Sequence, residues 1–339
     1  MTFVRRESYV FDLLSPDGLL LRRLEHVKPG GHISGNSNAR IRWSGSITYT
    51  GSITREQWYQ YRIRPQLVIN GNLHPLGVYV VRPAQITRSE TGTAMQLDLY
   101  DRTFIPAGDV IDTTMSAPAG IHVSALVGEI LTSTGEVAPA MTSSGIKLPS
   151  PMVWEAGTSK LTIINELLAA IGYNALWCDF TGAYRIGPYA RPSTRPVSYT
   201  FLPGKNAIHL GRWVRTHNAI VPNKIVCISQ ETSNTPAMRA VALNEDPNSP
   251  YSIHNQGVWV AQTHTGIEAA NQEVLDAKAQ RYLASATPSA TMQRSMLTTP
   301  IDLNSVVISE TGAREVVKNI DYTLTPASLM EITSREVTS

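Results

Sequence analysis

The first hundred residues repeat one pattern, short apolar segments of period two separated by turn residues, which a sheet of short strands satisfies and a helix does not. Met95, Leu97 and Leu99 alternate with Gln96, Asp98 and Tyr100. Ile41, Trp43, Ile47 and Tyr49 hold the same period, with Gly45 in the gap where a bend or bulge is expected. Residues 9–14 and 19–24 flank Ser15-Pro16-Asp17-Gly18, in which proline presets φ and glycine accepts a positive one, so they read as a hairpin. Asn70-Gly71-Asn72 separates apolar runs at 66–69 and 73–81 in the same way, and Glu90-Thr91-Gly92 marks a further hairpin. Strands at this spacing predict a small barrel or sandwich over residues 1–105.

The texture changes after Asp101-Arg102. Val123, Leu126, Val127, Ile130 and Leu131 stand at helical spacing, with Gly135 placed to end the helix. A second helix takes Thr158 or Ser159 as its cap, Leu161, Ile164, Leu167, Leu168 and Ile171 as its apolar face and Gly172 as its stop. Residues 175–179, a Phe180-Thr181-Gly182 turn and residues 183–189 form a hairpin beside it, completing an α/β insertion over 106–190. Strands return over 191–339, at 197–202, 208–215, 224–229, 238–243 and through a Thr-, Val- and Ile-rich tail broken by Gly312 and Pro326. A helix rich in Ala, Glu, Gln, Lys and Leu interrupts them at about 266–287. The expected class is α+β, predominantly β.

A chain of 339 residues, 42% hydrophobic and 17% charged, holds two or three packed domains and is neither disordered, collagenous nor a coiled-coil rod. A formal charge of +2 makes no field that points to nucleic acid or a membrane as the main ligand. No apolar stretch has signal-peptide or membrane-spanning length, so no export or membrane insertion is expected. Cys178 and Cys227 lack metal or redox spacing and are expected as reduced, buried thiols.

No GxSxG, GxGxxG, P-loop or HExxH motif occurs. No two of the eight histidines, His209, His217, His254 and His264 among them, stand at a spacing that puts two ligands on one side, so they read as solvated or packed residues. Asp98 and Asp101 offer a carboxylate pair, but without a base, nucleophile or metal partner they read as a polar strand exit. Trp43, Trp58, Trp154, Trp177, Trp213 and Trp259 could line a sugar-binding cleft and read more simply as core anchors. Catalytic, cofactor-binding and metal-binding residues are therefore assigned to none, and no cofactor is expected. One charge asymmetry stands out: residues 1–105 carry 13 Lys or Arg against 8 Asp or Glu. Arg40 with Arg42, and Arg62 with Arg64, fall on one strand face each. Such pairs could grip phosphates, but without an aromatic platform or a larger basic excess they read as partners for acidic groups on another protein.

Three stretches carry a resemblance. In the middle these are Trp154-Glu155-Ala156-Gly157-Thr158-Ser159-Lys160-Leu161, the helix with Asn165-Glu166-Leu167-Leu168, and Leu176-Trp177-Cys178-Asp179 followed by Gly182-Ala183-Tyr184-Arg185 and Pro188-Tyr189. Arg62-Ile63-Arg64-Pro65 with Pro75-Leu76-Gly77-Val78-Tyr79, and Pro300-Ile301-Asp302-Leu303-Asn304 behind the Ala-rich helix, agree with it. The sequence resembles the tail hub and baseplate hub proteins of tailed bacteriophages, many of them minor tail proteins. The resemblance implies two barrel-like, tail-tube-related β domains joined by an α/β insertion, and a homotrimer that closes a ring. It implies a structural virion protein and no enzyme, placed at the tail tip after assembly in the host cytoplasm. Its partners would be the distal tail or tail-tube protein, the tape measure protein and the tip or fibre proteins, with genomic DNA passing through the lumen unbound at ejection. A β-rich module for cell-surface carbohydrate or adhesion is the alternative.

Overall fold

The computed structural model describes residues 5–90, 92–136, 145–202, 204, 207–217, 220–229, 236–267, 272–286 and 290–337. Strands make up 46% and helices 17% of the described residues, the α+β, mostly β composition expected from the sequence. The turn-bounded runs become β1 (Glu7–Leu14), β2 (Leu20–Leu24), β3 (Val27–Asn36) and β4 (Trp43–Tyr49). After the one-turn helix α1 (Arg55–Trp58) come β5 (Arg62–Ile69), β6 (Asn72–Pro75), β7 (Tyr79–Ser89) and β8 (Gly92–Asp101). Asn70 and Gly71 take the positive φ values, 49° and 89°, that a two-residue hairpin turn demands. The apolar run at 73–81 is two strands, because Gly77 at φ 108° breaks it between β6 and β7.

The segment that follows holds α2 (Phe104–Gly108), β9 (Met115–Ala117), α3 (Val123–Thr132), β10 (Met152–Trp154), α4 (Lys160–Ala170), β11 (Trp177–Cys178) and β12 (Tyr184–Arg185). Ser159 is the cap: its Oγ accepts from Thr162 N at 3.2 Å. Gly172, at φ 74°, lets the chain turn off the end of α4. The apolar faces of α3 and α4 bury Val127, Leu131, Leu161, Ile164 and Leu168 in one cluster with Trp154 and Cys178.

The remaining strands are β13 (Val197–Thr200), β14 (His209–His217), β15 (Lys224–Ser229), β16 (Arg239–Leu243) and β17 (Ala261–Ile267), with α5 (Ile253–Gln256) before β17. After α6 (Gln272–Ser285) come β18 (Ala290–Leu297), β19 (Val306–Ile308), β20 (Arg314–Leu324) and β21 (Leu329–Glu336). The helix expected at 266–287 is shorter at its start, since Ile267 still belongs to β17, where it pairs with Ser229. Residues 268–271 and 287 lie outside the described residues.

Fourteen strands share one sheet, whose path runs β14-β18-β21-β20-β3-β4-β8-β7-β5-β1-β2, with β6, β13 and β19 beside it. Among the described residues no barrel closes. The outer edge of β3 is taken by β20, Ile33 opposite Tyr322, so the early strands continue into the tail strands. One core follows from one sheet: Ile33, Trp43, Leu97, Met296, Ile320 and Tyr322 are buried together. Each such aliphatic side chain contributes about 1.5–3 kcal/mol on full burial. Residues 1–213 with 293–334 form one compact unit, and residues 214–292 with 335–339 a second. The tail strands thus belong with residues 1–105, whereas the pattern along the sequence predicts a domain spanning 191–339.

Gly45 is not a bulge. It pairs regularly with Ile33 and Leu99, and the irregularity lies on β3 between Lys28 and His32. Glycine is required because a Cβ at 45 would sit 2.2 Å from the carbonyl oxygen of His32. The second unit is a three-stranded sheet, β16-β15-β17, with β15 antiparallel to β16 and parallel to β17. Leu275 and Ala279 of α6 close its core over Ile225, Cys227, Ala240 and Ala242.

Candidate functional site

Of the four arginines singled out by the sequence, the structure brings together only two. Arg62 and Arg64 project from one face of β5, opposite Leu14 and Asp12 of β1. Asp12 is buried and accepts from Arg64 Nε at 3.1 Å and Nη2 at 2.7 Å, from Gln66 Nε2, and from Arg23 Nη2 at 3.3 Å. Arg40 instead reaches Ser159 Oγ and the carbonyl of Ala107, 3.3 Å away. Arg42 donates to the carbonyl of Ala175 at 3.5 Å and lies over the Trp177 ring. These two tie the strand side of the fold to the insertion.

A third arginine, which no spacing announced, completes the group around Arg62. Arg102 follows β8 and donates to Glu136 Oε2 through Nε at 2.7 Å and through Nη2, and to the Gly182 carbonyl at 3.0 Å. Its guanidinium lies 4.9 Å from the centre of the Tyr184 ring, whose hydroxyl donates to the Arg102 carbonyl at 2.8 Å. Burial alone would lower the pKa of Arg102, and the Glu136 carboxylate outweighs it and holds the group above the usual arginine value. Arg62 is less well served. Its Nη1 donates to the Tyr61 carbonyl, its Nη2 is 3.9 Å from Glu136 Oε1, and its Nε is buried with no hydrogen-bond partner. Burial lowers its pKa below the usual arginine value, Glu136 opposes this, and Arg102 and Arg82 add repulsion.

Arg62, Arg64 and Arg102 line a cavity of about 200 Å³, walled also by Leu14, Val78 and the turn at Gly182. Gly182 keeps that wall in place: its φ is +81°, and a Cβ there would come 2.4 Å from Val78 Cβ. Around the cavity, Arg23, Arg62, Arg64 and Arg102 face two carboxylates, Asp12 and Glu136. The site is net cationic. Gly18 of the β1–β2 turn lies on its rim, followed directly by Leu19, Leu20 and Leu21, which are 65%, 59% and 51% exposed.

These leucines also lie at the start of β2, where the sheet path ends; at its other end β14 exposes Leu210 and Trp213. An edge strand presents unpaired N–H and C=O groups, and proteins usually protect it with charge or proline rather than with exposed apolar side chains. Both ends of this sheet carry arginine, Arg22 and Arg23 on β2 and Arg215 on β14, but they expose large apolar side chains beside it.

The other residues considered take structural places. Asp98 and Asp101 fall on opposite faces of β8. Asp101 is buried, where it accepts from Trp43 N and Thr103 N, both at 2.8 Å, and from Thr103 Oγ1; burial, the dominant effect, raises its pKa. Among the described residues no group of three or more His, Cys, Asp or Glu is placed to hold a metal. His209 Nε2 lies 3.4 Å from Glu310, and His264 stacks on Tyr282. Trp43, Trp58 and Trp154 are core residues as expected, but Trp213 and Trp259 are about two-fifths exposed and anchor no core. Cys178 and Cys227 are free and buried.

No family model matches the sequence, and no curated protein matches it at the sequence level. Solved structures do. A tail protein from Neisseria meningitidis superposes with a TM-score of 0.64 over 98% of this chain and 97% of its own, at 12% identity. The 43 kDa tail protein of prophage MuSo2 from Shewanella oneidensis gives 0.65, at 97% and 98% coverage and 12% identity. This chain has the fold of phage tail proteins. A type VI secretion component of E. coli, described as similar to the T4 tail proteins gp27 and gp5, aligns at 0.51 with 11% identity, over 92% of this chain and 74% of that one. In this tail-protein fold the arginine cavity lies under the β1–β2 hairpin, beside one open edge of the sheet.

Proposed function

We propose that the protein is a structural component of a phage tail, a hub at its distal end, and not an enzyme. Three copies close a ring that joins the tail tube or distal tail protein to the tip proteins, contacts the tape measure protein, and leaves a passage for the genome. The observation that carries this reading is the end-to-end likeness to two tail proteins, at 97% or more of each chain. The open edges at the two ends of the sheet path, β14 and β2, supply a physical reason for a ring. Strand edges that expose large apolar side chains at the two ends of the path are covered when each copy meets the next head to tail, and such heterologous contacts stop growing only if the rotation closes. Gold-labelled antibody against this chain, applied to intact particles, tests the placement. Label at the tail end farthest from the head is expected; label along the whole tail, or none on particles while the protein stays free in the lysate, overturns it.

A further inference from the structure

The cavity under the β1–β2 hairpin holds more guanidinium groups than the protein's own carboxylates can serve. Asp12 is occupied by Arg64, Arg23 and Gln66, and Glu136 by Arg102. Arg62 is left with one carbonyl, a carboxylate at 3.9 Å and a buried Nε–H that nothing accepts. A buried donor without a partner costs about 1–3 kcal/mol, and charged groups cost more. Arg64 uses Nε and Nη2 on Asp12, which leaves Nη1 for a second acceptor. A volume of about 200 Å³ admits a side-chain carboxylate with its methylene stem.

We propose that this cavity is an oxyanion site that receives the carboxylate of an acidic side chain from a neighbouring protein subunit. The identity of the donor as a tail subunit rests on the assembly reading above; the site itself does not. Two features favour a carboxylate over a phosphate. Asp12 and Glu136 already pair with the arginines that line the cavity, so a doubly charged phosphate would meet two like charges close behind them, whereas a single planar carboxylate fits the edge of a guanidinium. Leu19, Leu20 and Leu21 beside the cavity make an apolar rim, which suits a protein interface and not a sugar–phosphate backbone.

The test is the arginine Nε–Hε NMR spectrum of the purified full chain, titrated with sodium acetate and separately with sodium phosphate at constant ionic strength against chloride. Acetate should move the Arg62 signal downfield and saturably, with smaller shifts at Arg64 and Arg102. Arg62→Gln should weaken acetate binding at least tenfold, read from the Arg64 and Arg102 signals. Arg62→Lys, which keeps the charge and assigns the Arg62 signal by its loss, should weaken it as well. No saturable shift with either anion, phosphate binding ten times tighter than acetate, or unchanged binding in both variants overturns the proposal. None of these readouts depends on whether the chain forms a ring, so the site stands or falls separately from the ring.

Discussion

Replacing Arg294 with methionine should be among the most damaging single changes in this protein. Arg294 stands on β18 with no exposed side-chain surface and meets two carboxylates through paired contacts. Nε and Nη2 donate to Glu310 at 3.0 and 2.9 Å, and Nη1 and Nη2 donate to Glu315 on β20 at 2.7 and 3.0 Å. Nη1 also reaches Ser334 Oγ on β21 at 3.2 Å, and the guanidinium lies 4.5 Å from the centre of the Phe201 ring. Methionine fills the stem volume but leaves Glu315, 1% exposed, and Glu310 without their cation. Removing one partner of a buried pair costs about 3–5 kcal/mol, and two orphaned acids put this case at the upper end. For a unit of this size that is a fall of roughly 10–20 °C in melting temperature. The pH dependence gives the sign. In the wild type burial pushes the Glu310 pKa up, but Arg294 outweighs it and holds the group below its usual value, so that stability is present above the unfolded carboxylate range and lost as pH falls through the folded pKa. In the variant Glu310 loses that arginine and burial pushes its pKa up instead, so the variant's deficit should shrink between pH 7 and pH 5. Calorimetric melts of the wild type, Arg294→Met and the triple variant with Glu310→Gln and Glu315→Gln decide it. A loss below about 1 kcal/mol at pH 7, or a triple variant no more stable than the single one, refutes the reasoning.

Gly45→Ala should cost at least about 1–3 kcal/mol by overpacking, since the obstacle is a backbone oxygen, while Gly18→Ala, with open space and only a positive φ, should cost about 1–2 kcal/mol in urea unfolding. Burial raises the pKa of Asp302 to about 7, its own bond from Leu303 N opposing and Asp179 adding to the rise. The folded protein therefore holds a proton that the unfolded chain has already lost, stability should fall as pH rises from about 4 to 7, and Asp302→Asn should flatten that part of a melting-temperature profile. Arg64→Glu sets a second carboxylate against buried Asp12 and should destabilise by about 3–5 kcal/mol, measured by urea unfolding. Replacing Leu19, Leu20 and Leu21 together with serine should leave unfolding within about 0.5 kcal/mol per site while abolishing self-association in sedimentation; unchanged association speaks against the β2 edge as an interface.

What the sequence revealed was local. Asn70-Gly71, the Ser159 cap and the Gly172 stop act within a few residues, and each is where its spacing put it. β3 has no clean apolar alternation to read, since Pro29-Gly30-Gly31 interrupts it, and it is a strand because it pairs on both sides, with β4 and β20. β17 carries little apolar alternation, and its exposed face gave no pattern to find. The Ala-rich composition placed α6 but not its first turn, because composition marks no cap. The site was half visible: the alternation of Arg62 and Arg64 on one strand face was legible, but Arg102 and Glu136 are 34 residues apart, and Arg64 and Asp12 are 52. Only the sheet register and the turn at Gly182 bring these charges to one cavity, and no short-range rule encodes such a meeting.

Assembly of this chain with copies of itself is read from the native mass of the purified protein together with class averages of its particles. Three times 37.1 kDa and an annulus with a central hole are predicted. A monomer of 37.1 kDa at every concentration tried, with solid, featureless particles, contradicts the account.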